Sequence, residues 1–418
     1  MKESNIAWNL TAPTVAPGPI SGSLEPPPNF PAMKIAKIES FCVSPRWVFL
    51  RVETETGIIG WGECIMPRRV RAVLGAIADL TENILGEDPL AIEDLWQRMY
   101  RGGFFRGGPV LATAIAGIEQ ALWDIKGRHY GIPIHEFLGG RVRQKVRAYA
   151  WIGGDRPNDV VAMAKERIAQ GFTAVKMNAT EELHYLDAHA KIEAVVGRVD
   201  ALRRECGRDL GIAIDFHGRV HRAMAKQLIR ELEPFHLLWI EEPLLSEHND
   251  ALPAIAAHTP IPIATGERLC SRWEFKPLLE ARVVDIIQPD VSLTGIHELE
   301  KIGRMAEAYD VTLAPHCPNG PICLAATLQV DACLPNVALQ EYSMGMHYHR
   351  GYAGLVPGEM TDYLVGPEMN AVREGFLSIP TGPGLGITIN ESVVRERHQI
   401  WTLRDNNWRN ADGTLAEW

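Results

Sequence analysis

From Met33 onward the apolar residues fall into two successive patterns. In the first, residues 34–40, 47–53 and 58–63 alternate or run apolar, with Glu55-Thr56-Gly57 as a turn, which predicts an antiparallel three-stranded meander. A helical period follows over 110–126, where Ile115, Ile118, Ala121, Leu122 and Ile125 share one face. Gly139-Gly140 closes this region, so residues 33–145 read as an α+β domain. In the second pattern, short apolar runs end at Trp151, Met177, Ile214, Ile240, Ala264, Ile287, Ala314 and Leu339. Helical stretches such as 224–232 and 296–308 lie between them. Eight strands joined by helical crossovers imply parallel neighbours, and a closed β/α barrel over 146–369 is the economical solution.

An open doubly wound sheet is the rival fold. It would carry a glycine-rich phosphate turn after its first strand, and Ile152-Gly153-Gly154-Asp155 is not one. Gly382-Pro383-Gly384-Leu385-Gly386 opens no helix and reads as a turn. Residues 1–32 hold seven prolines between Pro13 and Pro31 and few periodic apolar positions. They read as a flexible arm, with packing on a neighbouring subunit as the alternative.

Composition narrows the class of partner. The chain has 418 residues and a formal net charge of -10, which disfavours nucleic-acid binding, since a phosphate backbone needs a cationic surface. No apolar run reaches the roughly 18 residues that would cross a bilayer, so no membrane is expected. Seven cysteines, an odd number without Cys-x-x-Cys spacing, and the lack of a secretory pattern fit a reduced, cytoplasmic compartment.

The ionisable residues carry the chemistry. Asp215, Glu241 and Glu267 each follow an apolar strand and recur every 26 residues, about one βα unit. In a barrel the C-terminal strand ends converge on one mouth, so three adjacent strands would aim three carboxylates at one point. Two carboxylates about 4 Å apart repel by roughly 4 kcal/mol at an effective dielectric of about 20. Such a trio needs protons or a divalent cation, and an all-oxygen donor set suits Mg²⁺. Taken singly, each acid could instead cap a following helix. The next intervals, to Asp290, His316 and Glu341, are 23, 26 and 25 residues. Asp290 on the neighbouring strand would orient the His316 imidazole and raise its basicity. His217, two residues beyond Asp215, is either a loop histidine or a second catalyst facing the cation from the other side.

With these residues goes a set of local motifs. They are Phe104-Phe105-Arg106-Gly107-Gly108-Pro109, Ala121-Leu122-Trp123-Asp124-Ile125-Lys126-Gly127, Gly153-Gly154-Asp155-Arg156-Pro157, Asp215-Phe216-His217-Gly218-Arg219, Ala314-Pro315-His316-Cys317-Pro318 and Leu415-Ala416-Glu417-Trp418. Through them the chain resembles the enolase superfamily from Met33 to Trp418, and within it the D-galactonate dehydratase family. The resemblance implies a modified TIM barrel, (β/α)7β, with an N-terminal α+β capping domain to which residues 370–418 return. It implies Mg²⁺ on Asp215, Glu241 and Glu267, and a homo-oligomer acting on a small sugar acid. His316, paired with Asp290, would remove the C2 proton. His217 would protonate the departing 3-hydroxyl, and Glu341 would hydrogen-bond the substrate carboxylate or the intermediate. Lys176 falls on the first basic position of a Lys-x-Lys motif. Asn178 replaces the second, so that face lacks a lysine base. Lys176, Asn178, Arg46 and Trp47 are the candidate substrate contacts, with the 104–108 loop as a further one. Residues 291–298 depart from the pattern by one glycine fewer, in a loop beside the proposed dyad, which bears on substrate preference. Another aldonate such as gluconate, epimerisation or cycloisomerisation on the same scaffold, and a non-catalytic scaffold are the competing expectations.

Overall fold

The computed structural model describes residues 33–181, 183–351, 354–366 and 371–417. The arm expected over residues 1–32 lies outside them. Residues 33–418 form one compact unit.

The meander is present as β1 (Ile35–Val43), β2 (Trp47–Thr54) and β3 (Ile59–Glu63), antiparallel throughout. Four helices follow: α1 (Val70–Ile84), α2 (Ile92–Arg101), α3 (Pro109–Tyr130) and α4 (Ile134–Phe137). Proline opens α3 at its first turn, where no amide hydrogen is needed, and left-handed Gly131 closes it. The face of Ile115, Ile118, Ala121, Leu122 and Ile125 is fully buried. β3 alternates glycine on the side that meets α3. A Cβ on Gly60 or Gly62 would overlap the carbonyls of Ala121 and Gly117, so only glycine lets helix and sheet approach this closely.

The second half is a ring of eight parallel strands: β4 (Lys145–Ile152), β5 (Ala174–Asn178), β6 (Gly211–Asp215), β7 (Ile240–Glu241), β8 (Ile263–Thr265), β9 (Ile286–Ile287), β10 (Thr312–Leu313) and β11 (Gln340–Tyr342). Seven helices alternate with them: α5 (Val160–Ala169), α6 (His189–Cys206), α7 (Arg222–Leu232), α8 (Leu252–Ala256), α9 (Arg272–Ala281), α10 (Val291–Glu307) and α11 (Pro321–Asp331). This is the expected (β/α)7β order. β11 pairs with β4. The ring closes at β10, where Leu313 bridges Val337 and Ala338 donates to the Leu313 carbonyl at 2.9 Å. Inside the ring, Tyr149 and Trp239 meet edge to face, and alanines 174, 213, 264 and 314 make room for the two rings. The barrel centre is therefore a packed plug, and chemistry is confined to its mouth.

Three details differ from the sequence reading. The apolar run 337–339 is not the last strand. It seals the ring, and β11 lies just beyond, so Glu341 is inside a strand rather than after one. Residues 291–298 are not a loop but the start of α10, broken once at Gly295 (φ 71°). The break is held from α3: the buried Glu119 carboxylate accepts the Ile296 and His297 amides at 2.8 and 2.9 Å, restarting the helix. Finally, the C-terminal stretch reaches the barrel before it returns to the meander. β12 (Phe376–Ser378) pairs antiparallel with the start of β4. Only then does α12 (Glu391–Glu396) lie against β1, with Arg395 on Glu39 at 3.1 Å and Arg51 on Glu391 at 3.2 Å.

The meander grips the barrel through Glu63. Its buried carboxylate accepts the Gly320 and Cys323 amides at 2.6 and 3.0 Å, at the N-terminus of α11. A Cβ on Gly320 would lie 2.7 and 2.8 Å from those oxygens and 2.9 Å from Trp47. Gly320→Ala is therefore expected to destabilise the fold by about 1–3 kcal/mol. The check is a lower urea midpoint with an unchanged slope.

Candidate active site

Asp215 is the last residue of β6 and Glu241 the last of β7, and the two are register partners. Glu267 follows β8 after Gly266. The three offer carboxylate oxygens that all lie within 4.8 Å of one another. Burial, then repulsion from Glu241 and Glu267, pushes the Asp215 carboxyl well above its usual range. Glu241 differs because a cation and two side-chain donors meet it. Lys176 Nζ lies 2.5 Å from Oε1, and Gln288 and Trp239 donate to Oε2 at 2.7 and 2.9 Å. Burial opposes its charge, but these groups outweigh burial and hold it below the usual carboxylate range. Lys176 Nζ also lies 3.2 Å from Glu341, and these carboxylates hold the buried ammonium well above its ordinary value against the cost of burial. One lysine thus meets Glu241 and Glu341 directly, while for Asp215 burial and repulsion outweigh the His217 amide that it accepts at 2.6 Å and the more distant pull of Lys176. A hard divalent cation among the oxygens of Asp215, Glu241 and Glu267 fits both that surplus charge and the donor set.

The ammonium of Lys176 is structural as well as electrostatic. Lys176→Met would leave two buried carboxylates without their counter-charge. Without divalent metal it is expected to cost about 3–5 kcal/mol, measured by chemical denaturation.

His316 follows β10 and Asp290 follows β9, and the two form a parallel bridge. Asp290 also caps α10 by accepting the Ser292 amide at 2.7 Å. Its other oxygen is 2.7 Å from His316 Nδ1. That contact turns Nε2 toward Glu267 and Glu341, at 3.3 and 3.9 Å. Burial alone would depress the imidazole, but Glu267, Glu341 and Asp290 push it up to about 10. The pull of Glu267 is the part that a cation on that residue would offset. His217 sits in the left-handed region (φ 53°), a conformation rare outside glycine and stored at sites that use it. Its carbonyl accepts Arg268 at 2.9 Å, and its Nε2 is 3.9 Å from Glu267. Burial, then Arg219 and Arg268, holds it well below the ordinary imidazole range. Both histidines therefore flank one carboxylate with opposite proton affinities.

These groups line a cavity of about 360 Å³ that includes Lys176, Asp215, His217, Glu267, Asp290, His316 and Glu341. Arg46 is on its wall, with its guanidinium 3.6 Å from the Tyr348 ring centre. Trp47 is not. It is fully buried behind Arg46, packed on Phe49 and Tyr363. Asn178 is also off the wall, because its amide donates to the Asp155 carbonyl at 3.1 Å. Phe104 and Phe105 are 92% and 87% exposed, and only Pro109 of that motif reaches the cavity. Arg268, Asn319 and Tyr348 are wall residues that the sequence reading missed. Arg268 adjoins Glu267 in the chain and could have been noticed. Asn319 and Tyr348 carry no spacing signal.

Two family profiles cover this architecture in order. The mandelate racemase / muconate lactonizing enzyme N-terminal domain matches residues 34–139, and the enolase C-terminal domain-like family matches 159–393. The chain belongs to the enolase superfamily. Among its curated superfamily relatives, a D-galactonate dehydratase of Ralstonia pickettii is 50% identical over 388 residues, covering 92% of this chain and all of that one. A D-galactonate dehydratase of Pectobacterium atrosepticum is 48% identical over 390 residues, with the same coverage. Among solved structures, an enolase of Agrobacterium radiobacter with bound Na and L-malate superposes with a TM-score of 0.82 at 29% identity, covering 92% of this chain and all of that one. Enolase superfamily members bind a divalent metal, and the acid trio here occupies the barrel mouth. Among the described residues no helix is long and apolar enough to cross a membrane.

Proposed function

We propose that this enolase superfamily member is a Mg²⁺-dependent dehydratase of a sugar acid, converting D-galactonate to 2-dehydro-3-deoxy-D-galactonate and water. One observation carries the reading: two histidines flank Glu267 of the acid trio, and the ring of one of them, His316, is held by the Asp290 carboxylate at 2.7 Å. The curated relatives named D-galactonate dehydratase support the choice of substrate.

The hydrogen α to a carboxylate is weakly acidic, and its removal leaves an enediolate with two negative charges near one carbon. When bound by Asp215, Glu241 and Glu267, Mg²⁺ supplies the positive charge that such an intermediate needs. His316 Nε2 takes the C2 proton, and Asp290 stabilises the imidazolium that forms. Glu341, fixed by the Cys317 amide at 2.9 Å and by Lys176, faces the carboxyl end of the substrate and donates a hydrogen bond to it when it carries a proton. His217 delivers a proton to the leaving 3-hydroxyl. Its proton affinity is depressed in the free site, the negative charge of a bound substrate raises it so that the ring takes a proton from solvent, and that proton is the one delivered. Arg46, beside Tyr348, faces the polyol end.

The test is a panel of aldonic and aldaric acids with Mg²⁺, with products followed by NMR. The expected product is a 2-keto-3-deoxy acid, formed fastest from galactonate. An epimer or a cyclised isomer of unchanged composition would replace this reading with isomerisation. No turnover on any acid would leave a non-catalytic scaffold.

A further inference from the structure

The base dyad is not held by its own two strands alone. Asp290 accepts three kinds of donor: the His316 ring, the Ser292 amide and the side-chain amide of Asn319. Asn319 Nδ2 lies 2.9 and 3.2 Å from the two Asp290 oxygens, and the residue is 3% exposed. A donor shared between both oxygens fixes the plane of a carboxylate that would otherwise turn about its terminal torsion. That plane in turn sets the direction of His316.

The segment carrying Asn319 is itself clamped, largely from the meander. Arg46 donates to the Pro318 carbonyl at 3.2 Å. Glu63 holds the Gly320 and Cys323 amides, and Ser343 donates to the Asn319 carbonyl at 2.8 Å. No space remains at Gly320 for even a methyl group. The amide of Asn319 is thus presented by a rigid frame that spans both halves of the protein.

We propose that Asn319 is a positioning residue for proton abstraction: it fixes Asp290, and through it His316, while Arg46 and Glu63 tie that geometry to the capping sheet. The proposal rests on His316 as the base.

The test is a double-mutant cycle read by C2-hydrogen exchange of galactonate in D₂O with Mg²⁺. Asn319→Leu is expected to lower kcat for exchange by about 10- to 100-fold, the size of one lost hydrogen bond to a charged group, with KM within about threefold. In an Asp290→Asn background the same substitution should change the rate by less than about twofold, because the residue through which Asn319 acts is already altered. Losses that multiply across the two backgrounds, or a raised KM at unchanged kcat, would overturn the proposal and make Asn319 a substrate contact or a packing residue. Should Asn319→Leu not fold, Asn319→Ser runs through the same cycle with a smaller expected loss and the same non-additivity. A parallel His316→Asn enzyme separates the two levels. Retained exchange there removes the base assignment and this proposal with it, whereas an inert His316→Asn with a multiplying cycle overturns Asn319 alone.

Discussion

His316→Asn is expected to lose exchange of the C2 hydrogen and dehydration together, while His217→Asn keeps the exchange and loses only the dehydration. A positioned proton-transfer group contributes about 10²- to 10⁴-fold, so each lost step should fall by at least that lower bound. The asymmetry follows from the wiring of the two rings. His316 has Asp290 at 2.7 Å to take up the charge of an imidazolium, so it can accept a proton from carbon. His217 has burial and two arginines around it, which favour release of a proton rather than capture. Asparagine preserves bulk and polarity at both sites and removes the proton carrier. The measurement is deuterium incorporation at C2 by NMR, run beside product formation. The reverse pattern would exchange the two roles. Exchange and elimination lost equally in both variants would mean that neither ring acts in a separable step.

Removal of divalent metal is expected to suppress turnover by about 10³-fold or more, since charge stabilisation of this kind contributes several kcal/mol, with activity restored by Mg²⁺. Binding should also raise stability, by about 2.7 kcal/mol at a Mg²⁺ concentration 100 times its dissociation constant. Asp215→Asn separates ligation from mere charge. It is expected to abolish the Mg²⁺-induced rise in melting temperature. Without metal, however, the variant should be as stable as the parent or more so, because it relieves the cost of burying a charge and the repulsion from Glu241 and Glu267 that lift the Asp215 carboxyl. The sign can be worked from that shift. A carboxyl raised in the folded state costs stability as pH rises from its unfolded pKa toward the folded one, and asparagine removes that cost. The checks are thermal melts of metal-free and Mg²⁺-loaded protein at several pH values. A metal-free variant that is less stable yet still responds to Mg²⁺ would mean that Asp215 is a structural acid and not a ligand.

The pattern of the chain was most informative where one signal repeats. The apolar period of α3 and the apolar runs of β1 to β3 located those elements to within a few residues, although the fold buries α3 all round from Thr113 to Ile125 and β2 on both faces. The spacing of Asp215, Glu241 and Glu267 was legible for a related reason: a βα unit has a nearly constant length, so equal intervals in sequence become one height in a barrel. The barrel strands themselves were harder to delimit. β7, β9 and β10 are two residues long, and their apolar runs extend past the hydrogen-bonded part. The run before β11 misled for the opposite reason. The strand there, Gln340–Tyr342, is buried and partly polar, and Glu341 meets Lys176 and the Cys317 amide.

Sequence by itself determined the order of elements, the barrel and the acids at its mouth, since these follow from periodicity and from the length of a repeating unit. Tertiary structure alone decided which side chains touch. Glu119 restarts α10 across 177 residues of chain, Glu63 grips α11 across 257, and Trp47 is turned away from the cavity that its neighbour Arg46 lines. Such contacts depend on directed hydrogen bonds between distant segments, whose geometry exists only after the core has packed, and no local period encodes them.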